Sequence, residues 1–276
     1  MRPFLHEMRL ASVHHLGDRL LARTAQCGTG RETAAQLWIE PKTLKILRAS
    51  WEVHRFEGED LPPAVEIPAL QGVVAYFGCG KSLQQALAAY PPAALTLFRE
   101  TVGAVIQAET FLLEERGFSS LDEYAAYWEK FYTGTCRYYS NLDAIEQTWA
   151  AYVAGRRPGT HLFNRFKTLS LDRDQGGMLL RATINDSFHE MAFSLRLDPA
   201  GETVHEAAGA IIRAPDRLCF GAAAFIERLE GVRLPGLTRA ETASLLGEEQ
   251  GCVHLIDLAA EAVTLLQAAR KRLKKN

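Results

Sequence analysis

Residues 20–55 alternate apolar and polar positions with the period of two that strands impose. Leu37 and Ile39, then Leu44 and Ile46, flank Glu40-Pro41-Lys42-Thr43, and a proline among polar residues marks a β-hairpin turn. Trp51 and Val53 carry the alternation onward. The period then changes. Leu83, Leu87, Leu95, Phe98, Val102, Val105 and Ile106 recur at three- and four-residue steps, which predicts helices over 83–113. Pro91-Pro92 divides them, because proline lacks the amide donor and clashes inside a helix. Further on, Ser120-Leu121-Asp122-Glu123 reads as a capping box, and Tyr124, Tyr127, Trp128, Phe131 and Tyr132 form an aromatic helix face. Asn141-Leu142-Asp143 opens a second helix that stops near Ala154-Gly155, ahead of Pro158-Gly159.

The second half repeats the pattern of the first. Leu195, Leu197, Asp198 and Pro199 follow Leu37, Ile39, Glu40 and Pro41 at a separation of 158 residues, as Arg181 follows Arg23, Glu190 follows Glu32 and Leu245 follows Leu87. Leu70-Gln71-Gly72-Val73 returns as Leu229-Glu230-Gly231-Val232, one residue out of step. Matches in the same order predict an internal duplication. Strands end at Arg213-Ala214-Pro215, and helices are expected over roughly 217–230, 238–248 and 252–273. Strands followed by helices give an α+β class. The expected architecture is two tandem repeats, each a small antiparallel sheet with helices packed on one face, joined by a helical connector. The expected boundaries are 1–115 for a degenerate first repeat, 116–158 for the connector and 159–276 for the second repeat.

Composition narrows the function classes. A net charge of −2 over 276 residues offers no electrostatic case for nucleic acid. The basic run Arg270-Lys271-Arg272-Lys274-Lys275 reads as a solvated helix end. No stretch reaches the ~20 apolar residues of a membrane span, and the charged start MRPFLHEMRLASVHH is unlike a signal peptide, so the cytoplasm is the expected location. The five cysteines are odd in number and widely spaced, which suits reduced thiols better than a disulfide framework. His6, His14 and His15 have no cysteine or carboxylate at regular spacing, and they read as exposed side chains of a lead-in segment. Gly78-Cys79-Gly80-Lys81-Ser82 falls short of a P-loop because Ala75 stands where that motif requires glycine.

Two resemblances bear on the second half. Arg165, the strand pair ending at Asp198, Pro215 to Cys219, Leu229-Glu230-Gly231-Val232, Pro235-Gly236 and Gly251-Cys252-Val253-His254-Leu255 resemble an uncharacterised bacterial family of unknown function. More distantly, the order of a strand pair, a helix opened by Cys219, the helix start Thr238-Arg239-Ala240-Glu241 and a long helix opened by Cys252 is similar to iron–sulfur scaffold proteins of the NifU/IscU type. Such a scaffold needs a third cysteine between Asp186 and His189, and Ser187 and Phe188 stand there instead.

The candidate metal ligands are Cys219, Cys252, His254, His189 and Asp186. A helix N-terminus lowers a thiol pKa and favours the thiolate, the form that binds metal. Two thiolates, two imidazoles and a carboxylate suit Zn²⁺ or an iron–sulfur cluster. In the first repeat Ala94 stands at the position matching Cys252, so the site is expected in the second repeat alone. The leading reading is a cytoplasmic, non-catalytic binding or scaffold protein, with a thiol-dependent enzyme or sulfur carrier as the alternative. A third reading is a structural module that docks a protein partner on the 124–132 aromatic face.

Overall fold

The computed structural model describes residues 2–58, 61–174 and 176–273. Its strands form one nine-stranded sheet in the order β5-β4-β3-β2-β1-β6-β7-β8-β9. The chain divides into two compact units, neither a continuous stretch. The N-terminal unit comprises Met8–Tyr124 and Gly155–Phe166, and the C-terminal unit comprises Met1–Glu7, Ala125–Ala154 and Lys167–Asn276.

The N-terminal unit takes β1 (Arg2–His15) from Met8 onward, followed by β2 (Leu20–Gly28), β3 (Arg31–Ile39), β4 (Ile46–Phe56) and the short β5 (Ala64–Glu66). These pair antiparallel from β2 to β5. The β3–β4 turn brings Leu44 into the left-handed region at φ 56°, where its N–H donates to Glu40 O at 2.9 Å and its side chain is fully buried. Burial of an apolar side chain offsets the strain of a positive φ. Helix α1 (Gly80–Ala86) and helix α2 (Pro92–Ala108) follow, the latter opening on a proline whose missing N–H would have had no intrahelical partner. Leu97, Phe98, Thr101 and Val105 lie on the buried side of α2, which packs on β2 and β3. Helix α3 (Leu113–Arg116) ends at Gly117 in the left-handed conformation. Glu109, with a fully buried side chain, accepts from Arg116 Nε at 2.7 Å and Tyr76 Oη at 2.6 Å, which satisfies a buried carboxylate. At helix α4 (Leu121–Tyr132) half of the expected capping box forms: Ser120 Oγ accepts from Glu123 N at 3.1 Å, while the Glu123 carboxylate accepts from the N–H and hydroxyl of Ser119 rather than from Ser120. Of its aromatic positions, Tyr124 in this unit and Trp128 in the C-terminal unit are buried, while Tyr127 and Phe131, also in the C-terminal unit, are exposed.

The C-terminal unit holds helix α5 (Trp149–Val153), β6 (His161–Asp174) from Lys167 onward, β7 (Gly177–Asp186), β8 (Glu190–Leu197) and β9 (Val204–Arg213). A 3-10 segment (Arg217–Leu229), α6 (Arg239–Leu245) and α7 (Val253–Leu273) complete it. Every second residue of β8 is buried, from Met191 to Leu197, and belongs to one core cluster with Leu255, Leu258, Ala262 and Leu266 of α7. Thr238 and Glu241 form a reciprocal capping box at α6. Arg270 to Arg272 occupy the last turn of α7, and Arg270 pairs with Glu202; Lys274 and Lys275 lie outside the described residues.

The register of the hairpins recurs at the separation seen in the sequence. The β3–β4 ladder shifts between Glu32 and Thr33 and between Trp38 and Ile39. The β8–β9 ladder shifts between Glu190 and Met191 and between Arg196 and Leu197, each 158 residues on. The isolated bridge of Lys45 to Val74 reappears as Thr203 to Arg233. Arg9 on β1 pairs with Glu100 of α2 at 3.0 Å, and Lys167 on β6 pairs with Glu261 of α7 at 2.7 Å.

Three expectations are corrected. The fold is not two tandem repeats with separate small sheets but one sheet, richer in strand than an α+β pair of that kind. The strands absent from the sequence reading are β1 and β6, the middle of the order. Their inward positions include Glu7, Arg9, Arg165 and Lys167, all buried, so the apolar alternation that signals a strand is broken. The lead-in is therefore strand. His6 is exposed as expected, whereas His14 and His15 are half-buried: His15 lies 3.0 Å from Glu115, and the His14 ring stacks on His161 at 4.1 Å. The helix expected from Asn141 instead starts after Thr148, whose hydroxyl caps α5 by accepting from Ala151 N. Asn141 is spent elsewhere, donating to Arg137 O at 2.7 Å and to Gln250 Oε1 at 3.2 Å.

Candidate metal centre in the C-terminal unit

The β7–β8 turn is built by Asp186. Its Oδ1 accepts the N–H of Phe188 at 2.8 Å and of His189 at 2.7 Å, and its own N–H donates to His189 O at 2.8 Å. An aspartate that accepts amides two and three residues on is the usual closure of such a turn. The turn forces Phe188 inward, where its ring stands edge-on to Trp149 at 4.9 Å and its carbonyl accepts from Tyr152 Oη at 2.5 Å. Arg213 ties the two strand ends from outside. Its Nη2 donates to Asp186 O at 2.6 Å, Asn185 Oδ1 at 3.0 Å and His189 O at 3.2 Å.

This local geometry sets His189 beside the first turn of α7. The His189 and His254 rings lie 4.2 Å apart, and one donor atom from each of Asp186, His189 and His254 falls within 4.8 Å of the others. It is the one such group of His, Cys, Asp and Glu among the described residues. Asp186 and His189 are buried and His254 is half-buried. His189 Nδ1 lies 3.2 Å from Asp186 Oδ1; in the tautomer that donates there, Nε2 is the nitrogen left to act as a ligand. One carboxylate and two imidazoles are borderline donors suited to Zn²⁺, Fe²⁺, Co²⁺ or Ni²⁺, and three protein ligands leave a coordination position open.

The N-terminal unit supplies an internal control. Arg55, 158 residues before Arg213, clamps the matching turn by donating to Gly28 O at 2.7 Å and Thr29 O at 3.0 Å. Gly28 and Arg31 stand where the other turn has Asp186 and His189. On the helices the separation is 161 residues, from Glu100 to Glu261, which places Ala93 opposite His254 and moves the position matching Cys252 from Ala94 to Pro91. The clamp is therefore common scaffold, and the three donors belong to one half only.

Of the five expected ligands, Asp186, His189 and His254 converge, and Cys219 and Cys252 do not join them. Cys219 sits in the first turn of a 3-10 segment and Cys252 immediately precedes α7. Burial overrides the helix-terminus effect and pushes each thiol up to about 12, with the neighbouring Cys136 adding to the rise at both. Arg137 binds these segments together. Its N–H donates to Gly251 O at 2.9 Å and its Nε to Leu218 O at 2.8 Å, so Cys136, Cys219 and Cys252 each adjoin a bonded residue. Cys136 carried no sequence signal beyond being a cysteine. Thiols raised this far stay protonated at neutral pH, and only the thiolate attacks an electrophile. Iodoacetamide at pH 7 should therefore modify exposed Cys27 well before Cys219 or Cys252. Peptide mapping of a time course checks this, and rapid labelling of Cys252 would contradict it.

No helix among the described residues is long and apolar enough to cross a membrane. Comparison with curated proteins and with solved structures gave no match. Residues 171–267, the stretch that carries Asp186, His189, Cys219, Cys252 and His254, match the model of a family described as a protein of unknown function (DUF2889).

Proposed function

We propose that the C-terminal unit binds one divalent transition-metal ion on Asp186, His189 and His254, and that the chain is a non-catalytic cytoplasmic binding protein. The observation that carries this reading is the approach of three donor atoms to within 4.8 Å, from a turn and a helix some 65 residues apart in sequence (189 to 254). The contrast with the N-terminal unit supports it, since the same turn and clamp form there without any of the three donors. The donor set favours a single ion over an iron–sulfur cluster, because clusters are held by thiolates and the raised thiols stand outside the group. The same elevation weighs against the sulfur-carrier alternative.

Cobalt is the convenient probe, as its visible absorption reports coordination. The purified protein should take up one equivalent of Co²⁺ by calorimetry, with imidazole and carboxylate ligation in the spectrum. His254→Ala should weaken binding at least ~100-fold, more than loss of an outer-shell partner does. Cys219→Ser and Cys252→Ser should leave it unchanged. Binding that survives His254→Ala, or that disappears in the cysteine variants, would sink the reading.

A further inference from the structure

The same comparison of halves points to a second site, in the N-terminal unit and independent of the metal. On the core face of β2–β4, three side-chain atoms are buried without a hydrogen-bond partner: Gln26 Nε2, Thr33 Oγ1 and Trp51 Nε1. The residues are 2%, 1% and 1% exposed. They are neighbours by register. Gln26 stands directly opposite Thr33, and Trp51 is paired with Ala35, one core-facing position along β3. Leaving a buried polar group unpaired costs about 1–3 kcal/mol.

The fold does not require polarity there. The positions 158 residues on are Ile184, Met191 and Gly209. Ile184 pairs with Met191 in the same register as Gln26 with Thr33, and both belong to the apolar core of the C-terminal unit. Polarity in one half only, at neighbouring buried positions, sets these three residues apart from the scaffold the halves share.

We propose that the N-terminal unit binds a small molecule bearing a neutral carbonyl oxygen, held by Gln26, Thr33 and Trp51 between the sheet and α2. Indole N–H is a donor only, the glutamine amide nitrogen is a donor only, and the threonine hydroxyl can donate, so the group recognised is an oxygen acceptor. The three donors are themselves neutral, which suits an uncharged oxygen acceptor. The adjoining hydroxyls of Thr24 and Thr101 bond each other at 2.8 Å. Phe56 and Tyr90, both half-buried, stand edge-on to the Trp51 ring at 6.2 Å and 6.0 Å. They give the occupant an apolar wall and an edge toward solvent, so its body is apolar or aromatic.

The test uses acetanilide, which joins an amide oxygen to an aromatic ring, with toluene as the control lacking the oxygen. The chain has four tryptophans, and the indole N–H signals are assigned by single Trp→Phe variants. Acetanilide should move the Trp51 signal saturably and leave those of Trp38, Trp128 and Trp149 in place. Toluene should not reproduce the shift. Gln26→Ile with Thr33→Met, the residues standing at the matching positions of the other half, should keep the fold and weaken acetanilide binding at least ~10-fold, as loss of a hydrogen bond of ordinary strength would. Should the double variant fail to fold, the near-isosteric Gln26→Met makes the same measurement. An unmoved Trp51 signal, an equal response to toluene, or undiminished binding in the variants would each overturn the proposal. So would a crystal structure of the acetanilide-soaked protein with only ordered water on the three groups.

Discussion

Asp186→Ala should cost the protein both its Co²⁺ binding and a large part of its stability. The Asp186 carboxylate is fully buried and Oδ1 alone meets two backbone amides and the His189 ring. Hydrogen bonds to a charged acceptor contribute about 1.5–3 kcal/mol each and do not add fully, so a loss of about 3 kcal/mol is expected. Without the carboxylate the turn no longer fixes His189, and the remaining imidazole of His254 cannot hold the ion. Asp186→Asn separates the two effects. The amide oxygen still accepts both backbone N–H groups, so most stability should return, while the lost charge keeps Co²⁺ affinity low. Denaturant unfolding together with calorimetry reads both quantities. Full metal binding in Asp186→Asn would assign the residue to the turn alone.

Glu100→Ala should destabilise the N-terminal unit by about 3–5 kcal/mol, the range for removing one partner of a buried ion pair. The Arg9 and Glu100 side chains are 6% and 5% exposed, so the guanidinium that loses this partner has little water to replace it. Removing one member of a buried pair costs more than the pair itself contributes, because the remaining charge stays desolvated. Arg9→Met combined with Glu100→Leu should accordingly recover most of the loss. Urea midpoints at constant slope for wild type, both single variants and the double variant measure the coupling. Equal losses in Glu100→Ala and the double variant would mean that the pair is not what matters.

The candidate site was legible to an unequal degree. His189, Asp186 and His254 were readable because two of them share a short polar turn between apolar strands and the third opens a long amphipathic helix. Their meeting was not readable, since it depends on where α7 crosses β7. At the cysteines two effects oppose each other. Chain position places Cys219 and Cys252 at helix starts, which argues for thiolates, but desolvation decides their pKa and acts the other way. The polar trio Gln26, Thr33 and Trp51 was invisible, because alternation marks a position as inward without telling whether its polar atom finds a partner.

The sequence by itself determined the local elements: the hairpin turns, the proline break before α2, the caps of α4 and α6, and the two halves whose ladders shift at matching residues. Each of these rests on φ/ψ preference and on contacts a few residues apart, which the order of residue types encodes directly. Only the tertiary structure decided that β1 and β6 stand in the middle of a single sheet, and that a carboxylate and two imidazoles converge while the thiols do not. Charged residues such as Glu7, Arg9 and Lys167 point inward on those two strands. Their burial is tolerable where helices supply partners, as Glu100 and Glu261 do for Arg9 and Lys167, and those partners lie 91 and 94 residues away along the chain.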